Sequence, residues 1–370
     1  MKPIKGLWEQ ITSFENLYAA YRAAAKGKRF RKEVLAFSDN LEASLFDLQR
    51  DLQQGTYTVG RYHEFYVYEP KKRLIMALPF RDRVAQWAVY RIVNPLFAKK
   101  YIEDSYACIE GRGIHAAAKR IRYFAQLVTH QNNGGGYALK LDISKYFYRI
   151  NHDVLMDMLR KWFADRELLD LLERTVRSAV PFGLPAGASP GEAERIFGVG
   201  MPIGNLTSQM FANLYLNEVD QYIKRELRGH CYVRYMDDMV ILDGSKERLH
   251  EYRRKIEAFL NERLRLDLNR KTVIRPLTLG IDFCGYRIWD SHIMLRKPTA
   301  LKMRRRLRKL QKDYAAGAVE WPEVKMSLAS YNGMLKHCDS YRLTLKIFGG
   351  KTEEGAAEGW FVLRREPPKQ

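Results

Sequence analysis

The stretch YVRYMDDMVILDG, Tyr232–Gly244, poses the question on which the reading of the chain turns. Two short runs, Tyr232–Tyr235 and Met239–Leu242, are rich in apolar, aromatic and β-branched residues and predict the strands of a hairpin, with Met-Asp-Asp as its connection. Neighbouring carboxylates repel, so Asp237 and Asp238 resist joint ionisation unless a cation lies close by. Aspartate also suits a turn for purely local reasons, and the pair alone leaves both readings open.

Composition narrows the field. With 370 residues and 46% apolar content the chain can bury a large core. Its formal net charge of +20, from 63 Lys and Arg against 43 Asp and Glu, points to a polyanionic partner, most simply nucleic acid. Cys108, Cys231, Cys284 and Cys338 stand far apart, without a C-x-x-C pair or a histidine at ligand spacing, so neither a zinc site nor a disulfide framework is expected. No apolar run reaches membrane length and no leader pattern is visible, which leads to the expectation of a cytoplasmic protein.

Outward from the hairpin, FENLYAAYRAAA and NLEASLFDLQRDLQQG predict helices, the second ending at Gly55, with the basic cluster Lys26, Lys28, Arg29, Arg31 and Lys32 between them. YHEFYVYEPKKRLIMAL predicts a hairpin turning at Glu69–Lys72, and RDRVAQWAVYRIVNPLF an amphipathic helix stopped by Pro95. In GGGYALKLDISKYFYRI a strand sets Leu139, Leu141 and Ile143 on one face and Lys140, Asp142 and Ser144 on the other. Residues 181–200 read as an extended Gly- and Pro-rich loop, and LTSQMFANLYLNEVDQYIKREL as a long helix with capping residues between Asn205 and Ser208. From Arg296 to Lys312 nine of seventeen residues are Lys or Arg and none is acidic; Leu301, Leu307 and Leu310 there suit a helix of a small helical domain. The segment after 348 reads as a loose tail in which Trp360, Phe361, Val362 and Leu363 could dock.

Asp142 at a strand edge and Asp237–Asp238 on a hairpin about ninety-five residues later form a constellation suited to phosphoryl transfer. Such chemistry needs hard oxygen ligands for Mg²⁺, shared between two ions in two-metal sites. A bound cation would also relieve the repulsion between the paired aspartates.

These residues resemble the reverse transcriptases. YMDD between apolar strands, the upstream LDISKYF and the intervening GMPIGNLTSQMFANLYLNEVD resemble that family's palm motifs. RLIMALPFRDRVAQWAVYRIVNPLF and DSYACIEGRGIHAA resemble the fingers blocks, LRLDLNRKT and GIDFCGYRI the later palm blocks, and YNGMLKHCDSYRL a thumb block, all in the family's order over residues 1–348. Within the family, SQ in IGNLTSQ, the thumb block and ITSFENLYAAYRAAAKGKR are similar to the enzymes of bacterial and phage diversity-generating retroelements; antiphage-defence and retron enzymes share part of the pattern.

The resemblance implies an α+β, right-hand polymerase fold: an N-terminal helical segment over 1–65, fingers and an antiparallel palm over 66–290, a small helical thumb over 291–348 and a tail over 349–370. It implies that Asp142, Asp237 and Asp238, with the backbone of Ile143, hold two Mg²⁺ ions, Mn²⁺ being able to substitute. Lys72 and Arg73 fall where the family grips the dNTP triphosphate, Lys71 being the alternative phosphate-facing lysine, and Lys271 where a lysine approaches the nucleotide. Phe147 falls where an aromatic abuts the sugar 2′ position, and Ile203 where more accurate relatives carry a glutamine against the new base pair; Ile203 and Arg73 thus bear on fidelity. Gly204, Asn205, Ser208 and Gln209 shape the turn under the primer–template, and Arg304, Arg305, Arg306, Arg308 and Lys309 lie on a thumb helix that tracks the duplex backbone.

The implied reaction copies a template-repeat RNA into cDNA through an RNA/DNA hybrid, with errors opposite template adenines. The implied partner is a basic, pentameric accessory variability determinant. After the thumb only the tail remains, so integration and template removal are expected to come from other proteins. An RNA-binding scaffold that has lost catalysis and a metal-dependent nuclease are the competing classes.

Overall fold

The structure, a computed structural model, describes residues 2–68, 72–178, 198–352 and 355–363. It begins with α1 (Trp8–Thr12), α2 (Phe14–Ala25), α3 (Lys32–Asp39) and α4 (Leu41–Gln53), followed by the hairpin β1 (His63–Val67) and β2 (Arg73–Ala77), then α5 (Phe80–Ala98) and α6 (Ile114–Gln131). Next come β3 (Tyr137–Asp142), α7 (Tyr146–Arg149), α8 (His152–Trp162), α9 (Arg166–Arg177), α10 (Leu206–Gln221), β4 (Tyr232–Tyr235), β5 (Asp238–Asp243) and α11 (Lys246–Leu264). The chain continues through β6 (Val273–Pro276), β7 (Ile281–Phe283), β8 (Tyr286–Ile288), β9 (Ile293–Leu295), α12 (Lys297–Ala315), α13 (Trp321–Leu335), α14 (Tyr341–Phe348), β10 (Gly350–Thr352) and β11 (Gly355–Ala357). Two compact units divide the chain, the first Met1–Glu110, Leu141–His230 and Tyr252–Thr272, the second Gly111–Lys140, Cys231–Glu251 and Val273–Gln370.

In the first unit, Ser13 starts α2 by accepting a hydrogen bond from the Asn16 amide, and Leu17, Ala20 and Ala24 recur at helical spacing on its buried face. Asn16 Nδ2 then donates to the Ala88 carbonyl of α5 at 3.1 Å, fixing that packing. Helix α5 does not stop at Pro95 but runs on to Ala98. A proline so near the end deletes one amide bond, and the turn closes beyond it because Lys99 donates its N–H to the Pro95 carbonyl. The hairpin expected over residues 63–77 forms, in register His63↔Ala77 to Val67↔Arg73, with β1 exposed along its length. Helix α10 is buried on nearly all sides, Met210–Leu216 included. Its expected caps are not made: Asn205 donates to the Tyr62 hydroxyl at 3.3 Å, and Ser208 Oγ is buried without a hydrogen-bond partner. The expected loop at 181–200 lies outside the described residues up to 197.

In the second unit, an antiparallel sheet runs in the order β4-β5-β3-β6, and a smaller one in the order β7-β8-β9. Helices α12, α13 and α14 follow these sheets. Met303 and Leu307 of α12, Leu335 of α13 and Ile347 of α14 make a shared core, and Leu301 lies on the exposed face of α12. Trp360 and Phe361 pack on that core, Phe361 donates its N–H to the Ile347 carbonyl at 2.8 Å, and Gln311 Nε2 bonds the Val362 carbonyl. Residues 360–362 are therefore not a loose tail: two large rings gain more from burial than the chain loses in ordering.

Candidate active site

The question posed by the paired aspartates has a local answer in the β4–β5 hairpin. Tyr235 pairs with Asp238, so the connection is Met236–Asp237 and Asp238 already belongs to β5. This departs from the expected Met-Asp-Asp connection. A two-residue hairpin turn requires positive φ, and Met236 adopts φ +53°. Beneath it Arg234 is wholly buried and donates Nη1 to the Met236 carbonyl at 3.2 Å, which ties the turn to the strand before it. Asp237 thus stands in the turn and Asp238 on a strand.

Asp238 has a cation beside it: Lys140 Nζ lies 3.3 Å from its Oδ1 and also donates to the Asp282 carbonyl at 2.9 Å. Lys140 is two residues before Asp142 on β3, and the half-buried positions Lys140 and Asp142 flank the buried Leu141, as strand alternation requires. Cys284, in the β7–β8 turn, lies in the same electrostatic environment. Burial pushes its thiol up to about 12, with Asp238 and Asp237 adding to the shift and Lys140 opposing it.

In the first unit, Asp142 closes β3 against the segment 267–272. Its N–H donates to Thr272 Oγ1 at 3.4 Å and its carbonyl accepts from Asn269 N–H at 2.7 Å. Ile143, its side chain buried, bridges Leu268, and Ser144 N–H reaches the Asp267 carbonyl. Lys271 is exposed in the same segment. Two residues on, Lys145 turns the chain at φ +48° into α7, where the buried Tyr146 donates to the Ala212 carbonyl and leaves Phe147 half-exposed beside it.

Backbone bonds then connect Phe147 to Met201 and Ile203 to the β1–β2 hairpin. Met201 N–H donates to the Phe147 carbonyl at 2.7 Å, and Met76 N–H to the Ile203 carbonyl at 3.0 Å. Gly204 passes so close to β2 that a β-carbon there would sit 3.0 Å from Ile75 Cγ2 and 3.2 Å from the Met76 carbonyl oxygen. Arg73 opens β2; its charge opposes the upward shift that burial gives the Tyr148 phenol. Lys72 Nζ stands 4.6 Å from the Tyr66 ring and 5.9 Å from the Tyr68 ring, a cation held over aromatic faces. Lys71 lies outside the described residues. Gln209 is exposed and accepts from Cys108 Sγ at 3.5 Å.

Asp142, Phe147, Ile203 and Gly204 are therefore tied together in one unit, and Asp237, Asp238 and Lys140 in the other. Among the described residues no group of three or more His, Cys, Asp and Glu side chains is assembled as a metal site. By chemistry the donors fit a hard divalent cation, being carboxylate oxygens, and Asp238 already accepts positive charge from Lys140. On α12, Arg305, Arg306, Arg308 and Lys309 are exposed and Arg304 is half-buried. Arg308 also lies 5.3 Å from the Trp360 ring, a partner in the tail. Sequence reading assigned no role to Lys140 or Arg234. Lys140 could have been found, since alternation puts it on the face of Asp142; the burial of Arg234 has no local signal.

The antiparallel sheet β4-β5-β3-β6 and the helices around it make a mixed helix-and-sheet architecture. Residues 68–288, more than half of the chain, match the family Reverse transcriptase (RNA-dependent DNA polymerase), and the chain belongs to that family, with its right-hand polymerase fold and its enzyme class. It is 28% identical to Protein YkfC of Escherichia coli (strain K12) over 284 residues, 67% of this chain and 72% of that protein. It is 22% identical over 342 residues to the group II intron-encoded protein LtrA of Lactococcus lactis subsp. cremoris, covering 75% of this chain and 54% of LtrA, so it spans about half of that relative. A solved apo telomerase from Candida tropicalis shows 14% identity and a TM-score of 0.48 over 65% of this chain and 49% of that one. Among the described residues no helix is long and apolar enough to cross a membrane.

Proposed function

We propose that the chain is the RNA-directed DNA polymerase of a diversity-generating retroelement, copying a template-repeat RNA into cDNA with low fidelity at template adenines. One observation carries the polymerase site: Lys140 reaches Asp238 at 3.3 Å from a position two residues before Asp142 on the same strand. In this reading Asp142, Asp237 and Asp238, with the Ile143 carbonyl, hold two Mg²⁺ ions. Bound there, the ions would stabilise the entering primer oxygen and the leaving pyrophosphate. Lys72 and Arg73, with Lys271, bind the triphosphate and keep the α-phosphorus in line with the primer 3′-hydroxyl. Phe147 excludes a ribose 2′-hydroxyl by its ring. Gly204, Asn205 and Gln209 support the templating pair, and the exposed cations of α12 bind the phosphates of the hybrid duplex.

Low fidelity has a physical source in Ile203. An apolar side chain there offers no hydrogen bond to the new pair or its sugar, so pairing geometry is checked by shape alone. A basic pentameric accessory protein would join this basic polymerase through the RNA, whose phosphates offset the repulsion between them. The test is to supply the purified protein with its neighbouring RNA, divalent cation and dNTPs, with and without the adjacent small basic protein, and to sequence the cDNA. Errors concentrated opposite template adenines, and reduced in Ile203→Gln, support the reading. Faithful cDNA moves the chain to a defence or retron role, and RNA cleavage without dNTPs moves it to a nuclease.

A further inference from the structure

The outward face of the β7–β9 sheet carries a built arrangement that the polymerisation site does not use. Side chains alternate along β8 and β9, so Tyr286, Ile288 and Ile293 point into the core while Arg287, Trp289, His292 and Met294 lie on the other face. Trp289 N–H donates to the His292 carbonyl at 2.9 Å across a two-residue turn, and the two rings stack with centroids 4.5 Å apart and planes 13° from parallel. The indole is fixed in place: its Nε1 donates to the Thr278 carbonyl at 3.1 Å, and its face rests on Gly280, where a β-carbon would lie 2.6 Å from Cε2. Arg287 is fixed as well, donating Nε and Nη2 to the Leu279 carbonyl with its guanidinium 5.5 Å from the Trp289 ring.

This stack forms one wall of a groove of about 990 Å³ whose other walls are the start of α12 and the turn between α13 and α14. The far wall presents Tyr341, 64% exposed, and the exposed cations Lys336 and Arg342; exposed Lys297 also lines the groove. Among the described residues lining the groove the single carboxylate is Asp339, and its Oδ2 is engaged by the Ile293 N–H at 3.1 Å.

We propose that this groove binds a segment of single-stranded nucleic acid, separately from the duplex held for polymerisation. The exposed cations Lys297, Lys336 and Arg342 beside the fixed Trp289–His292 stack match a chain that carries a phosphate and a flat base in every unit. Rigid rings accept a base with little loss of side-chain freedom. A single strand fits and a duplex does not, because only unpaired bases offer a free face for stacking. An amphipathic peptide would place its apolar face on the rings but leave the exposed Lys297, Lys336 and Arg342 unmatched. None of the residues assigned to the metal, the nucleotide or the thumb's duplex contacts lines the groove, so the proposal stands or falls apart from the polymerase reading.

The test uses the full chain and a 15-nucleotide RNA containing 4-thiouridine, irradiated at sub-saturating RNA and followed by mapping of the adducts. Adducts on peptides containing Trp289, His292 or Tyr341 are expected. They should fall at least tenfold in the double variant Lys336→Glu with Arg342→Glu, both surface substitutions, with an unchanged melting temperature. In His292→Ala, which truncates the outer ring of the stack, adduct yield should fall by a similar factor. Unlabelled single-stranded RNA should displace the probe and an RNA duplex of equal length should not. Adducts confined to other peptides, yields unchanged in both variants, or displacement by the duplex as readily as by the single strand would overturn the proposal and leave the groove to a protein partner.

Discussion

Replacing Gly204 with alanine tests the link between the Ile203 turn and the β1–β2 hairpin. The residue adopts φ +123°, outside the left-handed helical region that other residues tolerate, and forcing alanine there costs roughly 1–3 kcal/mol. The added β-carbon would stand 3.0 Å from Ile75 Cγ2 and 3.2 Å from the Met76 carbonyl oxygen, inside ordinary contact distance. The Ile75 methyl can rotate away, but the carbonyl belongs to the backbone of β2 and moves only with the strand. Relief therefore comes from displacing the turn, which strains the Met76 N–H bond to the Ile203 carbonyl at a cost of about 1 kcal/mol. The total is about 2–4 kcal/mol. At roughly 2–4 °C per kcal/mol this lowers the melting temperature of the unit by about 4–16 °C. Circular dichroism melting measures the shift, and Gly333→Ala is the control. Gly333 lies within α13 with nothing within 4 Å of an added β-carbon, so that variant gains about 0.5–1 kcal/mol from reduced backbone freedom in the unfolded chain. A Gly204→Ala protein melting within 1 °C of the parent would refute the argument.

Two further outcomes follow from particular side chains. Phe147, half-exposed at the start of α7, excludes ribonucleotides in the proposed function; Phe147→Ala should reduce discrimination between dNTP and rNTP by about 100-fold, and equal discrimination in single-nucleotide incorporation would remove the assignment. Burial, reinforced by Asp339, pushes the Cys338 thiol up to about 11. Only about one molecule in a thousand then carries the thiolate at pH 8, and alkylation should speed up about tenfold per pH unit from 8 to 10. Exposed Cys108 should be modified first at every pH, which peptide mapping after brief iodoacetamide treatment would check.

Local pattern carried much of the fold because the features concerned are local. Strand alternation around Asp142 and the apolar runs flanking Asp237–Asp238 are written in neighbouring residues, and so is the spacing of Leu307 and Leu310 on α12. What escaped was decided by distant partners. Pro95 could not stop α5, since the residues beyond it complete the turn, and the place where Trp360 and Phe361 dock is a core assembled from three helices. Asp238 moved from connection to strand because Met236 accepts a positive φ with Arg234 bonded beneath it. In the site, the residue types were legible, but the bonds that join Phe147 to Met201 and Ile203 to Met76 cross long stretches of sequence and leave no periodic trace. The Lys140–Asp238 pair arises from the neighbouring places of β3 and β5 in the sheet, which periodicity does not encode.

The most direct test of the account is primer extension by the purified chain on an RNA template, with dNTPs and Mg²⁺, comparing the parent with Asp238→Asn. The substitution preserves shape and removes the charge. The parent should extend the primer, and the variant should lose activity by on the order of a thousandfold while melting normally and still binding RNA. Extension by Asp238→Asn at the parental rate, or an RNA-binding parent that extends no primer, would contradict it.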